Sequence, residues 1–341
     1  MELASIKRIF SGEKPAKPLA PKALAQKPLA HKAALTSRDF MSDRPQNADR
    51  EIKFLSFERE ILNRAEAMVG SGIPAVLSVL RRLGLDGFSR LMWSLPLEGY
   101  PQLSQCLPKM TDLAVQAKWT GQSGLPLMVQ SISFLRAVAD DYNRLTGRSL
   151  AGATMLDFGC GYGRFLRLMT YYSDPDKVHG CDPMEASLDQ CLSCDIPNAI
   201  EMSDYVPETL PYPDKTFDFA FAFSVFTHTS GQAMHAALKA LRPVVKQDGL
   251  LAITIRPEEY WSINPTYAKR AETMIAAHQT KGLAFAPHAL NTSTEIPAYG
   301  DTSVSLEKLA EIAEDWDIVG TNISSEDFYQ IIVLLKPKST N

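Results

Sequence analysis

The chain has 341 residues, 45% hydrophobic and 22% charged, a balance that fits a globular protein with a sizeable core. Its 35 Lys and Arg stand against 39 Asp and Glu, so no overall basic field marks nucleic acid as the principal partner. No apolar run approaches the roughly 18 residues that span a bilayer, and an odd count of five cysteines suits reduced thiols and a cytoplasmic location.

Residues 1–50 hold a loose Lys-Pro-Leu-Ala repeat ("AKPLAPKALAQKPLAHKAAL") and read as a disordered basic tail, since Pro removes backbone donors and spaced lysines repel. Short apolar runs between charges at the start do not form a secretory signal. Residues 51–118 read as an N-terminal helical region. "EIKFLSFEREILNRAEAMV" has helical periodicity up to Gly70, and Pro74 opens a second helix expected to run to about Trp93. "DLAVQAKWTGQSGLP" reads as a loop, and Pro126 to Leu145 as a strong amphipathic helix stopped by Gly147.

From there strands and helices alternate. Strands are expected at Met155–Phe158, Lys177–Cys181, Ala199–Met202, Phe217–Phe226 and in "GLLAITI", the fourth apolar enough to be buried on both faces. Residues 258–301 break the rhythm and read as an irregular insertion on the substrate side, whose Tyr260, Trp261 and Tyr267 are either core or a lid. A helix in "SVSLEKLAEIAEDW" and two closely spaced strands near 317–322 and 328–335 finish the pattern. The result is an α/β chain with a doubly wound, mostly parallel sheet and an antiparallel edge strand. Cys191 and Cys194 form a Cys-x-x-Cys, but they fall on an expected helix without a second pair, so no metal site is expected.

In such a sheet a ligand lies beyond the carboxyl ends of the strands, where strand order reverses. The loop "LDFGCGYGRF" (Leu156–Phe165) follows the first strand, and its glycines at 159, 161 and 163 let a ligand approach the backbone. The spacing is not the Gly-x-Gly-x-x-Gly of dinucleotide folds. Asp157, just ahead of the glycines, would repel a pyrophosphate but hold an ammonium group. Asp182 ends the second strand at the distance from the loop where an acid accepts ribose hydroxyls. An amino-acid end joined to a ribose describes S-adenosylmethionine.

These motifs resemble the class I S-adenosylmethionine-dependent methyltransferases over roughly residues 119–336, within a domain expected at 119–341 with their Rossmann-like fold. "LDFGCGYGR" and "GCDP" are similar to the first two motifs, and "SDYVPETLPYPDKTFDFAFAFSVFTH" to the next two. The Ser-Val-Phe-Thr-His segment resembles a bacterial subgroup acting on small molecules or glycans. Where Leu-x-Pro-Gly-Gly usually stands, this chain has Lys246-Gln247-Asp248-Gly249. The resemblance implies that Asp157 binds the methionine ammonium, that Gly159, Gly161 and Gly163 form the loop around the cofactor, and that Asp182 and Pro183 meet the ribose. It implies Ser203 or Asp204 at the adenine, Phe223 and Ser224 beside the methionine, and Trp119 or Thr120 over the carboxylate. His228, just past the central strand, is a candidate general base, because imidazole titrates near neutrality. The activity implied is methyl transfer to an oxygen or nitrogen of a small-molecule or glycan-like acceptor. A non-catalytic cofactor-binding subunit and an NAD(P)-dependent oxidoreductase are the alternatives.

Overall fold

A computed structural model describes residues 54–288, 297–324 and 326–339. The Lys-Pro-Leu-Ala tail lies outside them. Helices Ser56–Ala67, Ile73–Leu80, Gly84–Ser94, Pro101–Cys106 and Leu113–Thr120 precede the long helix Gly124–Thr146, which ends on left-handed Gly147. Two expectations change here. The helix expected from Pro74 to Trp93 is divided by a tight turn at Arg81–Leu83 before Gly84, whose φ of +71° only glycine adopts readily. Leu113–Thr120 is helical rather than a loop, closed by Gly121 in the left-handed region.

The main sheet has strands β1 (Met155–Phe158), β2 (Val178–Asp182), β3 (Ala199–Met202), β4 (Phe217–Ala222) and β5 (Val245–Ile255). It is completed by β8 (Trp316–Ser324) and β9 (Asp327–Pro337), in the order β3-β2-β1-β4-β5-β9-β8. The first five pair in parallel, while β9 runs antiparallel to both β5 and β8. This is the doubly wound sheet with an antiparallel edge that the sequence predicts. Strand order turns back at β1 and β4, so a crevice opens at their carboxyl ends.

Apolar residues on both sides of each central strand explain the burial of the sheet between two layers. Met155, Phe219 and Phe221 pack against Leu127, Phe134 and Leu135 of the long helix and against Leu62, Leu77, Phe88 and Leu91 of the preceding helices. Leu156, Phe217, Ala220 and Ala222 face Met234, Leu238 and Leu241 of helix Gly231–Val244 and Leu309 of helix Leu306–Ile312.

The segment after β5 is more regular than its composition suggests. Short helix Tyr260–Ile263 and helix Ala271–Lys281 lead to β6 (Leu283–Pro287), which pairs antiparallel with β7 (Gly300–Val304). Ser303 and Val304 therefore lie in a strand, and the helix expected from Ser303 starts at Leu306, where the Ser305 side chain accepts from Lys308 N. The apolar run expected to be strand up to Phe226 leaves the sheet at Ala222, and Ser224 turns the chain with a φ of +61°. None of the described helices is long and apolar enough to cross a membrane.

Candidate functional site

A cleft of about 680 Å³ occupies the crevice beyond β1, β2 and β4. The glycine loop forms its floor. Gly159 N and Cys160 N donate to Cys181 O at 2.8 and 3.0 Å, which ties the loop to β2. Gly159 has a φ of +81°, and a Cβ there would run into the Val225 side chain, so both conformation and space demand glycine. Gly161 borders the cleft. Gly163 does not: a Cβ on it would press on Ile196 and Cys191, so this glycine serves close packing where helix Arg164–Met169 begins.

Asp182 borders the cleft with both carboxylate oxygens oriented by backbone amides, Gly161 N to Oδ2 and Met184 N to Oδ1, each 2.9 Å. Each oxygen keeps a further lone pair for a ligand donor. Burial raises its carboxyl above the usual value, and the hydrogen bonds from Met184 and Gly161 oppose that. Asp157 does not border the cleft: it is buried behind Phe158 and Gly159, which do, at 2% exposed, and its Oδ2 has no hydrogen-bond partner among the described residues. Burial pushes this carboxyl up to about 8, an effect the nearby Arg164 charge offsets only in part. A buried acid with an orphaned oxygen fits an incoming cation.

Trp119, Thr120, Pro183, Asp204, Phe223, Ser224 and His228 all border the same cleft. Ser203 does not; it is buried, and its amide donates to Asp182 O at 3.2 Å. Ser224 N donates to Thr254 Oγ1 at 2.7 Å, which holds the strained turn at the end of β4.

Sequence reasoning missed Arg164. Its guanidinium lies over the Phe165 and Phe223 rings, 4.4 and 4.9 Å from their centroids, and Nη1 donates to Gln130 Oε1 at 2.9 Å. That is its single hydrogen bond among the described residues. Arg167, fully buried, donates to three carbonyls, of Gly163, Lys109 and Tyr162. Arg164 is thus a buried cation at the cleft wall with donors to spare.

A second missed cluster closes the other end. Asp301 of β7 takes hydrogen bonds from Arg256 Nη1 and Tyr267 Oη, and lies 3.2 Å from His228 Nδ1 and 3.1 Å from His288 Nε2. Burial works against its ionisation, but the His228 and Tyr267 hydrogen bonds and the Arg256 charge win and hold it well below the usual carboxylate range. Arg256 also sits 4.1 Å from the Tyr260 ring centroid. Tyr260, Trp261 and Tyr267 form the insertion's own small core with Met274, and Tyr260 also faces the cleft.

Residues 156–253 match the family model described as a methyltransferase domain. Among solved structures, the chain is similar to a SAM-dependent methyltransferase from Aquifex aeolicus, at 19% identity over 59% of this chain and 87% of that one, with a TM-score of 0.39. It is similar to another from Clostridium acetobutylicum, at 12% identity over 62% and 92% with a TM-score of 0.41. A third is magnesium protoporphyrin IX methyltransferase from Synechocystis PCC 6803 with bound SAH, at 15% identity over 66% and 94% with a TM-score of 0.43. No curated protein matches the sequence.

Proposed function

We propose that residues 156–253, which match a methyltransferase domain, belong to a class I methyltransferase whose cleft holds S-adenosylmethionine and passes its methyl group to a small-molecule or glycan-like acceptor. The observation that carries the assignment is Asp157, a buried carboxyl with an unpartnered oxygen just ahead of the glycine loop. In this reading Asp157 takes the ammonium of the cofactor's methionine and Arg164 its carboxylate. Gly159 and Gly161 admit the methionyl-ribosyl part to the backbone. Asp182 accepts from the ribose hydroxyls with Pro183 beside it, and Asp204 reaches the adenine amine. Trp119 and Thr120 cover the site, while Phe223 and Ser224 flank the methionine.

Bound there, the cofactor supplies an electrophilic methyl group on a sulfonium. The chain's own contribution is alignment. Asp157, Asp182 and Arg164 fix the cofactor at three points, and effective concentration from such positioning is worth up to about 7–11 kcal/mol of barrier.

Calorimetry tests the reading. The protein should bind S-adenosylhomocysteine and not NAD, and Asp182→Ala should abolish that binding; retained affinity would remove Asp182 from the site. Transfer of labelled methyl from S-adenosylmethionine into a small-molecule cell extract tests turnover.

A further inference from the structure

Two histidines border the far end of the cleft, and their hydrogen bonds distinguish them. Asp301 is ionised, so it only accepts. His288 Nε2, 3.1 Å from Asp301 Oδ2, must therefore carry the ring proton, which leaves a lone pair on Nδ1. Among the described residues nothing bonds that Nδ1, and the side chain is 39% exposed at the cleft wall. The backbone amide of His288 donates to Tyr299 O at 3.1 Å, which fixes the residue at the end of the β6–β7 pair.

His228, the histidine that sequence reasoning favours, has the opposite arrangement. Its Nδ1 lies 2.9 Å from Gly300 O and 3.2 Å from Asp301 Oδ1, both acceptors, so Nδ1 carries the proton. The remaining lone pair, on Nε2, faces Arg256 Nη2 at 3.1 Å. A guanidinium only donates, so that lone pair is already engaged. Tyr299 stacks on the same ring at 5.6 Å. His228 braces Asp301 and Arg256; it holds no free nitrogen for an acceptor.

We propose that His288, oriented by Asp301, is the base that takes the acceptor's proton, and that the acceptor is a hydroxyl compound. The inference rests on reading the cleft as the S-adenosylmethionine site. A hydroxyl is a poor nucleophile until its proton leaves, so it gains most from a base oriented by an ionised partner; a carboxylate has no proton to give. In the step, an oxygen lone pair of the acceptor forms the new O–C bond and the C–S bonding pair stays on sulfur. The hydroxyl proton passes to His288 Nδ1, and the products are a methyl ether and a neutral thioether. Tyr260 and Ile263 give this end of the cleft apolar surface against which the carbon frame of an acceptor would rest.

Two measurements on the full chain test this. Diethyl pyrocarbonate acylates imidazole nitrogens with an open lone pair, so peptide mapping should find His288 modified about tenfold faster than His228. Equal rates, or His228 ahead, would overturn the assignment, and this arm needs no acceptor. In the extract assay His288→Gln should lower methyl transfer by about 10²–10⁴-fold, with S-adenosylhomocysteine affinity unchanged and a base-stable ether as the wild-type product. Activity retained by the variant, or a base-labile ester as product, would also overturn it. Failure of the wild-type chain to bind S-adenosylhomocysteine would instead sink the cofactor reading, independently of either histidine.

Discussion

Asp157 and Arg164 place an acid and a cation in a dry floor where neither finds its full set of partners. For Asp157 the sign of the pH effect follows directly. Its carboxyl titrates at about 8 in the folded chain and near 4 when unfolded. Between those values the unfolded state has lost a proton that the folded state keeps, so stability falls as pH rises through the window. Asp157→Asn should therefore raise the Tm of the ligand-free protein, by an amount that grows from pH 4 to pH 8, while S-adenosylhomocysteine binding is lost. Scanning calorimetry across that range checks it, and a Tm gain independent of pH would refute it. In the wild type an ammonium needs the ionised acid, so affinity for S-adenosylhomocysteine should improve by up to about tenfold per pH unit from 6 to 8 and then level off. Arg164→Met should weaken S-adenosylhomocysteine by roughly 10–100-fold, the cost of losing a charge-assisted bond, and leave methylthioadenosine, which lacks the carboxylate, almost unchanged. Equal losses for both ligands would mean that Arg164 only supports the fold.

The β6–β7 pair carries Asp301 and His288 to the cleft, so the acceptor end depends on one small element. Gly300 sits where a Cβ would meet the Ala286 carbonyl oxygen and the Phe285 ring. Gly300→Ala should cost about 1–3 kcal/mol by overpacking and speed hydrogen exchange over Leu283–Pro287, with cofactor affinity retained; unchanged exchange there would show that the pair tolerates the methyl. This element was also the least legible in the sequence. The strands β1 to β5 announce themselves as apolar runs between turn residues, because burial on both faces leaves them little choice of composition. The strand β7, "GDTSV", is wholly buried yet mostly polar, and its side chains are met by partners far away in the chain. Composition gives no sign of such a strand. For the same reason Asp157 and Asp182 stand out as candidates from loop spacing, whereas Arg256, His288 and Asp301 meet only through the tertiary fold. Trp119 borders the cleft from a helix that the sequence reads as a loop, since Trp-Thr-Gly carries a turn signal and only a weak helical pattern.

Across the whole molecule, the N-terminal helices are part of one layer of the sandwich rather than an appendage. Leu62, Leu77, Phe88 and Leu91 are fully buried in the cluster that also holds Met155, Phe219 and Phe221. A chain cut to residues 119–341 would expose that face, and should show no cooperative melting transition where the full chain melts sharply. A sharp transition in the shortened chain would mean that the sheet is self-sufficient. The strand order has a further consequence for how the protein is made. The inner strand β9 lies between β5 and β8, yet both of those leave the ribosome before it does. Until β9 has emerged, β5 presents an unpaired apolar edge to solvent or to a chaperone, so synthesis itself includes an interval in which another nascent chain competes for that edge.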